Sequence, residues 1–319
     1  MKVKLDYPDE YIIEQIAINY EIICDKLEFL PVGESSWLYV IFISESPEFV
    51  LKIQKELDEK AENIQVFLSN QDKPWLPRTI KTISKQPYFK NKEYFFSVQK
   101  YVESISLNSA NSDPDNEYLH KLGVILKDLH ATEPSKQLSK SLPKEIFVSQ
   151  FNENAKDAIN TFKSWSQTNP KSSDIADAMN NNKDNIDQLF INSQTLGQKL
   201  ADQNVKLVLT HGDVHFGNII ESKDNNLYLI DWDYTMLAGP AHDLMYFNDD
   251  QLTEISKSYG KDLLENHNEI MYYRNHLMLR ALWFWTTKAM SCSDQDYKYT
   301  SDTFLDIFNG SPYMQRALG

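Results

Sequence analysis

Cysteine is almost missing from this chain: Cys24 and Cys292 are the only two among 319 residues. They stand far apart without CxxC spacing, which excludes a disulfide framework, offers no zinc site and suits a reducing compartment. Positive charge is also scarce, with 32 Lys and Arg against 46 Asp and Glu and a formal net charge of −14. A footprint on nucleic-acid phosphates needs clustered Lys and Arg, so no nucleic-acid partner is expected. The same acidic excess keeps a protein soluble and favours cationic small molecules near its surface. Long apolar runs are missing as well. The N-terminus, MKVKLDYPDEYIIEQI, carries acids and polar breaks where an export signal needs continuous apolar sequence. Met278–Trp285 is interrupted by Arg280 and is too short to span a bilayer, so it reads as a buried helix. These absences predict a cytoplasmic chain without a membrane partner, and they leave monomer and homodimer both open.

What is present suits a globular fold of two medium domains, or one divided by a cleft. Apolar residues make up 41% and charged residues 24%, with 17 Tyr, 16 Phe and 6 Trp to build a core. Ile12, Ile13, Ile16, Ala17 and Tyr20 recur at helical spacing within Asp9–Ile23. Four β-rich segments follow, Leu27–Leu30, Trp37–Ile43, Phe49–Ile53 and Tyr94–Val98, with helix formers over Lys55–Ser69 between the last two. That alternation predicts a compact α+β unit over residues 1–102. Over 103–319 the pattern becomes mainly helical, at Asn116–Ala131, Glu145–Ser166 and Ser173–Gln203, around a short β island at Val205–Thr210, Asn218–Glu221 and Leu227–Ile230.

The island carries the chemistry. THGDVHFGNII (Thr210–Ile220) and LYLIDWD (Leu227–Asp233) contain His211-x-Asp213, Asn218 and Asp231, the spacing of the kinase catalytic loop. Phosphoryl transfer needs a carboxylate near the attacking hydroxyl and oxygen ligands for magnesium, and one loop with one strand end would supply both. Asp213 and Asn218 also suit an ordinary turn, and Asp231 a helix cap or ion pair. His211 reads as a loop-orienting hydrogen-bonder and not as the base.

HGDVHFGN, then IDWD, then HDLMYF resembles the aminoglycoside phosphotransferase family, related to protein kinases and choline kinases. IDWD-x-x-MLA with DLM and Tyr272-Tyr273-Arg274 is most similar to its spectinomycin phosphotransferase branch. The resemblance is firm from about Leu119 to Phe247 and loose at both ends. It implies a bilobal protein-kinase-like fold, α+β in class, with a nucleotide-binding lobe at 1–102 and a catalytic, substrate-binding lobe at 103–319. It further implies Asp213 as catalytic base or hydroxyl-orienting residue, Asn218 and Asp231 as Mg2+ ligands, and Asp243 as a structural support of the catalytic loop. ATP is the nucleotide it implies, with GTP as an alternative, and antibiotic resistance is among the roles the family carries.

The first lobe should then supply a phosphate-binding lysine, and Val50-Leu51-Lys52-Ile53 resembles the kinase V-A-I-K strand. Lys52 is the candidate, although a lysine on a half-buried strand is often only its exposed side. Glu56, Glu59 and Glu62 compete to be its partner; Glu59 is chosen here, while a solvated helix face explains all three equally well. Pro31–Ser36 is the candidate phosphate cover, with Gly33, Ser35 and Ser36 placed to meet phosphates, though it lacks G-x-G-x-x-G and suits a plain hairpin turn as well. Gln99, Tyr101 and Val102 mark the hinge whose backbone would meet adenine. Gly212 stands where protein kinases have Arg and no A-P-E segment follows, which favours a small-molecule kinase. Asp233, Asp249 and Trp232 are candidate contacts for a cationic acceptor, with Asp250, Trp283 and Trp285 nearby in type. The expected reaction is O-phosphorylation of an aminoglycoside or spectinomycin. Competing readings are a metabolic kinase for a choline-like, sugar or amino-alcohol acceptor, and a nucleotide-binding pseudokinase.

Overall fold

A computed structural model describes residues 3–33, 36–104, 114–148 and 150–319. The chain divides into two compact units. The first comprises Met1–Ile125, Glu133–Pro143 and His211–Met236; the second comprises Leu126–Thr132, Lys144–Thr210 and Leu237–Gly319. The first therefore extends past residue 102 and takes in the whole loop from His211 to Asp233.

The first unit opens with helix α1 (Asp9–Tyr20). Strands β1 (Lys26–Leu30), β2 (Ser36–Ile43) and β3 (Ser46–Gln54) follow, then α2 (Glu59–Ser69), β4 (Thr79–Ile80), β5 (Tyr88–Asn91) and β6 (Tyr94–Lys100). The sheet runs β1-β2-β3-β6-β4, with β5 also on β6, and its described pairs are antiparallel. Alternation sorts β3 cleanly. Leu51 and Ile53 are wholly buried against Ile12 and Ile16 of α1, and the intervening Lys52 projects from the opposite face, between Leu38 and Ser97 in register. Helix α1 is shorter than its apolar spacing suggests, because Glu21 turns left-handed (φ 57°) and leaves Ile23 exposed. Helix α2 starts at Glu59 because Asp58 caps it, accepting hydrogen bonds from the N–H groups of Lys60 and Ala61.

Helices α3 (Asn116–Ala131) and α4 (Lys136–Ser141) come next, then α5 (Gln150–Ser166), α6 (Ser173–Asn181), α7 (Lys183–Asp202) and the short β7 (Val208–Thr210). The hairpin of β8 (Ile219–Glu221) and β9 (Leu227–Leu229) belongs to the first unit. Strand β10 (Met236–Ala238) pairs with β7, and α8 (Asp249–Tyr259), α9 (His267–Ser291), α10 (Asp294–Phe308) and α11 (Pro312–Leu318) complete the chain. The second unit's core gathers Phe162, Ile175, Leu189, Leu279, Leu282, Phe304 and Phe308. Its centre is α9, which buries residues all around its first turns and includes the predicted apolar stretch. Among the described residues no helix is long and apolar enough to cross a membrane.

Candidate active site

The candidate catalytic-loop residues lie within the first unit, and each is held by backbone chemistry. His211 is fully buried; its Nε2 meets the carbonyl of Ile230 at 2.9 Å, and its Nδ1 accepts the N–H of Asp213 at 3.3 Å. Since a carbonyl only accepts, the imidazole proton sits on Nε2, and the ring ties the loop to the strand end. Gly212 makes the tight turn possible with φ 82°, a conformation that costs a side-chain-bearing residue. Asp213 follows, nearly buried. The amide of Asn218 donates to both the carbonyl and Oδ2 of Asp213, each at 3.0 Å, and the N–H of Ile230 returns to the Asn218 carbonyl at 3.0 Å. With Nδ2 so engaged, Asn218 keeps Oδ1 for another ligand.

Asp231 adopts φ 65°, which turns the chain sharply at the end of the hairpin. Its side chain stays open to solvent, yet surrounding protein desolvates it enough, with Asp233 and Asp213 adding repulsion against the help of Lys52 and His215, to push its pKa up to about 6. Three acids crowding one place suit a cation. Among the described residues no three His, Cys, Asp or Glu side chains could hold a metal unaided. A magnesium ion that takes one or two protein oxygens and completes its shell from phosphates and water would fit this donor set, with Asp231 and Asn218 as the residues that would hold it.

Lys52 Nζ lies 3.7 Å from Asp233 Oδ1. The helix partner differs from the choice made on sequence. Glu59 is exposed in the first turn of α2, taking a 3.4 Å hydrogen bond from Tyr88, whereas Glu62 is buried beside Ala61 and Gln65 and feels Lys52 directly. Burial raises the Glu62 carboxyl to about 7, against the pull of Lys52 and a hydrogen bond from Ser97. Glu62 shares the buried side of α2 with Ala61, Ile64, Gln65 and Leu68, and so turns inward.

Other sequence candidates divide. Gly33 has φ 76°, and Ser36 is buried in β2 opposite Gln54 instead of lying in a loop; Ser35 lies outside the described residues. Gln99 lies within β6, in register with Val50 and Thr79, and its side chain donates to Gln65 of α2, while the N–H of Tyr101 goes to the carbonyl of Glu48 at 2.9 Å. The N–H of Val102 donates to no backbone carbonyl among the described residues, so Val102 stays the candidate for the hinge. Trp232 is withdrawn as an acceptor contact: it is 1% exposed, stacks on Trp75 at 6.0 Å and lies 4.5 Å from the His211 ring, a core position. Asp249 is withdrawn too. It begins α8 in the second unit, where it accepts from the buried Arg274 at 2.8 Å, and so neutralises a cation of its own fold. Asp233 faces Lys52 and Asp231, inside the charge cluster. Sequence reasoning missed His215, whose ring stands beside Asp213, and Trp75, which stacks on Trp232. Only the spacing of His215 two residues beyond Asp213 hinted at the first; nothing local signals the second.

A model of the phosphotransferase enzyme family, APH, matches residues 48–263. Spectinomycin phosphotransferase APH(9)-Ia, solved with ADP and spectinomycin, is similar in fold at TM-score 0.85 and 19% identity, covering 97% of each chain. The GDP and kanamycin complex of APH(2")-IIia is similar at TM-score 0.63 and 13% identity, over 94% of this chain and 98% of that one. Plasmodium vivax ethanolamine kinase is similar at TM-score 0.56 and 13% identity, over 89% and 83%. The shared fold is the α+β protein-kinase-like one.

Proposed function

The chain belongs to the phosphotransferase enzyme family, and from that premise we propose that it moves the γ-phosphoryl of ATP to a hydroxyl of a small cationic molecule, with spectinomycin the first acceptor to test. The observation that carries the reading is the 3.0 Å bond from Asn218 Nδ2 to Asp213 Oδ2, which holds the proposed base and leaves Asn218 Oδ1 to serve a metal. Asp213 orients the acceptor hydroxyl and takes its proton as the oxygen attacks phosphorus. Lys52 holds the α- and β-phosphates, with Glu62 behind it, and Val102 offers its N–H to adenine. Magnesium, when bound at Asn218 and Asp231, neutralises charge on the phosphates. The excess of acids over bases favours an amine-bearing acceptor.

A second reading is a metabolic kinase, favoured by the fold similarity to an ethanolamine kinase. A panel of spectinomycin, kanamycin, ethanolamine, choline and simple sugars with ATP and Mg2+ separates the two, read by ADP release and by 31P NMR of the product. A phosphorylated aminocyclitol or aminoglycoside supports the first reading; turnover confined to the amino alcohols or sugars replaces it with the second. ADP release without any phosphorylated acceptor would overturn both.

A further inference from the structure

We infer that His215 is a positioning residue for Asp213, seated by Gly217, an inference that rests on the phosphotransferase reading of the loop. His215 caps the short turn Phe216–Asn218, its Nδ1 accepting the N–H of Gly217 at 3.0 Å. An acceptor nitrogen carries no proton, so the neutral ring is the Nε2–H form. That Nε2 stands 3.5 Å from Asp213 Oδ2, the same oxygen that takes the Asn218 amide at 3.0 Å. The Asn218 amide and the His215 ring therefore face the same carboxylate oxygen from two directions. The outer contact is long for a hydrogen bond, as catalytic contacts of a free enzyme commonly are before substrate closes them.

Gly217 supplies an independent observation. Its backbone is outside the left-handed region, so conformation alone does not demand glycine. The imidazole demands it: a Cβ there would fall 2.8 Å from His215 Cε1 and 2.9 Å from Nδ1, nearer than carbon and nitrogen pack. Tyr118 meets Phe216 edge to face at 6.0 Å on the same turn. The turn is thus shaped to receive the ring lying against its own backbone, an arrangement that aims Nε2 at the base.

Capping alone is the competing explanation, and the variants separate it. Asn is as good a cap as His but too short to reach Asp213, so His215→Asn keeps the turn and loses the contact. His215→Gln restores a donor of similar reach. Gly217→Ala displaces the ring without altering its chemistry. For His215→Asn and Gly217→Ala the expected result is a kcat lowered about ten- to a hundredfold, with nucleotide KM and thermal midpoint nearly unchanged and partial recovery in His215→Gln. A wild-type kcat in His215→Asn overturns the inference. The imidazole 15N spectrum gives a readout that needs no turnover: the Nε2–H form, with that resonance moved by Asp213→Asn. An Nδ1–H form, or indifference to Asp213→Asn, also overturns it. Should the wild type phosphorylate nothing, the phosphotransferase reading falls by that result, while the spectrum still decides whether His215 holds Asp213.

Discussion

Lys52 Nζ is paired with Asp233, 3.7 Å from its Oδ1, at the place where the triphosphate is proposed to lie. The two side chains remain 24% and 39% exposed, so the pair contributes under about 1 kcal/mol to stability. Its effect falls on binding. Asp233 competes with phosphate oxygens for Lys52 and repels them. Asp233→Asn should therefore tighten metal-free ATP about three- to tenfold in EDTA, measured by calorimetry, with little change in thermal midpoint. Unchanged or weaker metal-free binding would remove Asp233 from this competition.

Glu62 makes stability depend on pH. Its folded pKa, about 7, lies above the ordinary 4.5, so the folded state binds the extra proton. Stability therefore declines as pH rises from about 4.5 to about 7, where the buried carboxyl is forced to ionise, and the loss is complete above that window. The shift corresponds to roughly 3 kcal/mol at its ceiling. Glu62→Gln keeps the shape and removes the titration. Relative to wild type it should gain stability steadily across that window and nothing below it, as urea melts at several pH values would record. The same variant should bind ATP more weakly, because Lys52 loses its backing charge.

Asp213 and Asp231 are expected to fail in different ways. Replacing Asp213 by Ala removes the group that orients and deprotonates the acceptor, so kcat should fall about a hundred- to ten-thousandfold while ATP affinity stays within about threefold. Replacing Asp231 by Ala removes a proposed metal ligand, so the magnesium-dependent part of nucleotide binding should vanish. Titrations of ATP with and without Mg2+ on both variants check the division. Equal loss of metal-dependent binding in the two would undo the assignment.

The geometry of the candidate catalytic loop was legible in the sequence because its parts are contiguous. His211, Asp213 and Asn218 are linked by bonds that span five residues or fewer, or return to a hairpin that directly follows, so spacing alone carries the geometry. The β-rich beginning and helical remainder were readable from periodicity for the same local reason. Glu62 was not chosen, because Glu56, Glu59 and Glu62 lie close together in sequence and only the packing of α2, which buries Glu62 with Ala61, Ile64, Gln65 and Leu68, singles one out. Trp232 read as a candidate acceptor contact, because its partner Trp75 is remote in sequence and leaves no trace near IDWD. Asp249 misled in the same way: its neutralising Arg274 comes from another helix. Charge reads from sequence as a count, whereas its use depends on which opposite charge the fold delivers.

Asp243 shows that dependence within the second unit, where it is fully buried and meets His130 Nε2 at 2.9 Å while His130 Nδ1 meets Tyr259 at 2.9 Å. Asp243→Ala leaves a buried imidazole without its acceptor, a loss on the order of 3 kcal/mol. His130→Ala alone takes the imidazole away from the buried carboxylate and should cost a similar amount. Because each single change already breaks the same contact, the double variant should be less destabilised than the two losses added, by at least about 1 kcal/mol. Chemical denaturation of the four proteins measures that coupling. Simple additivity would mean that Asp243 is held by its other neighbours and that the pair with His130 is incidental to the fold.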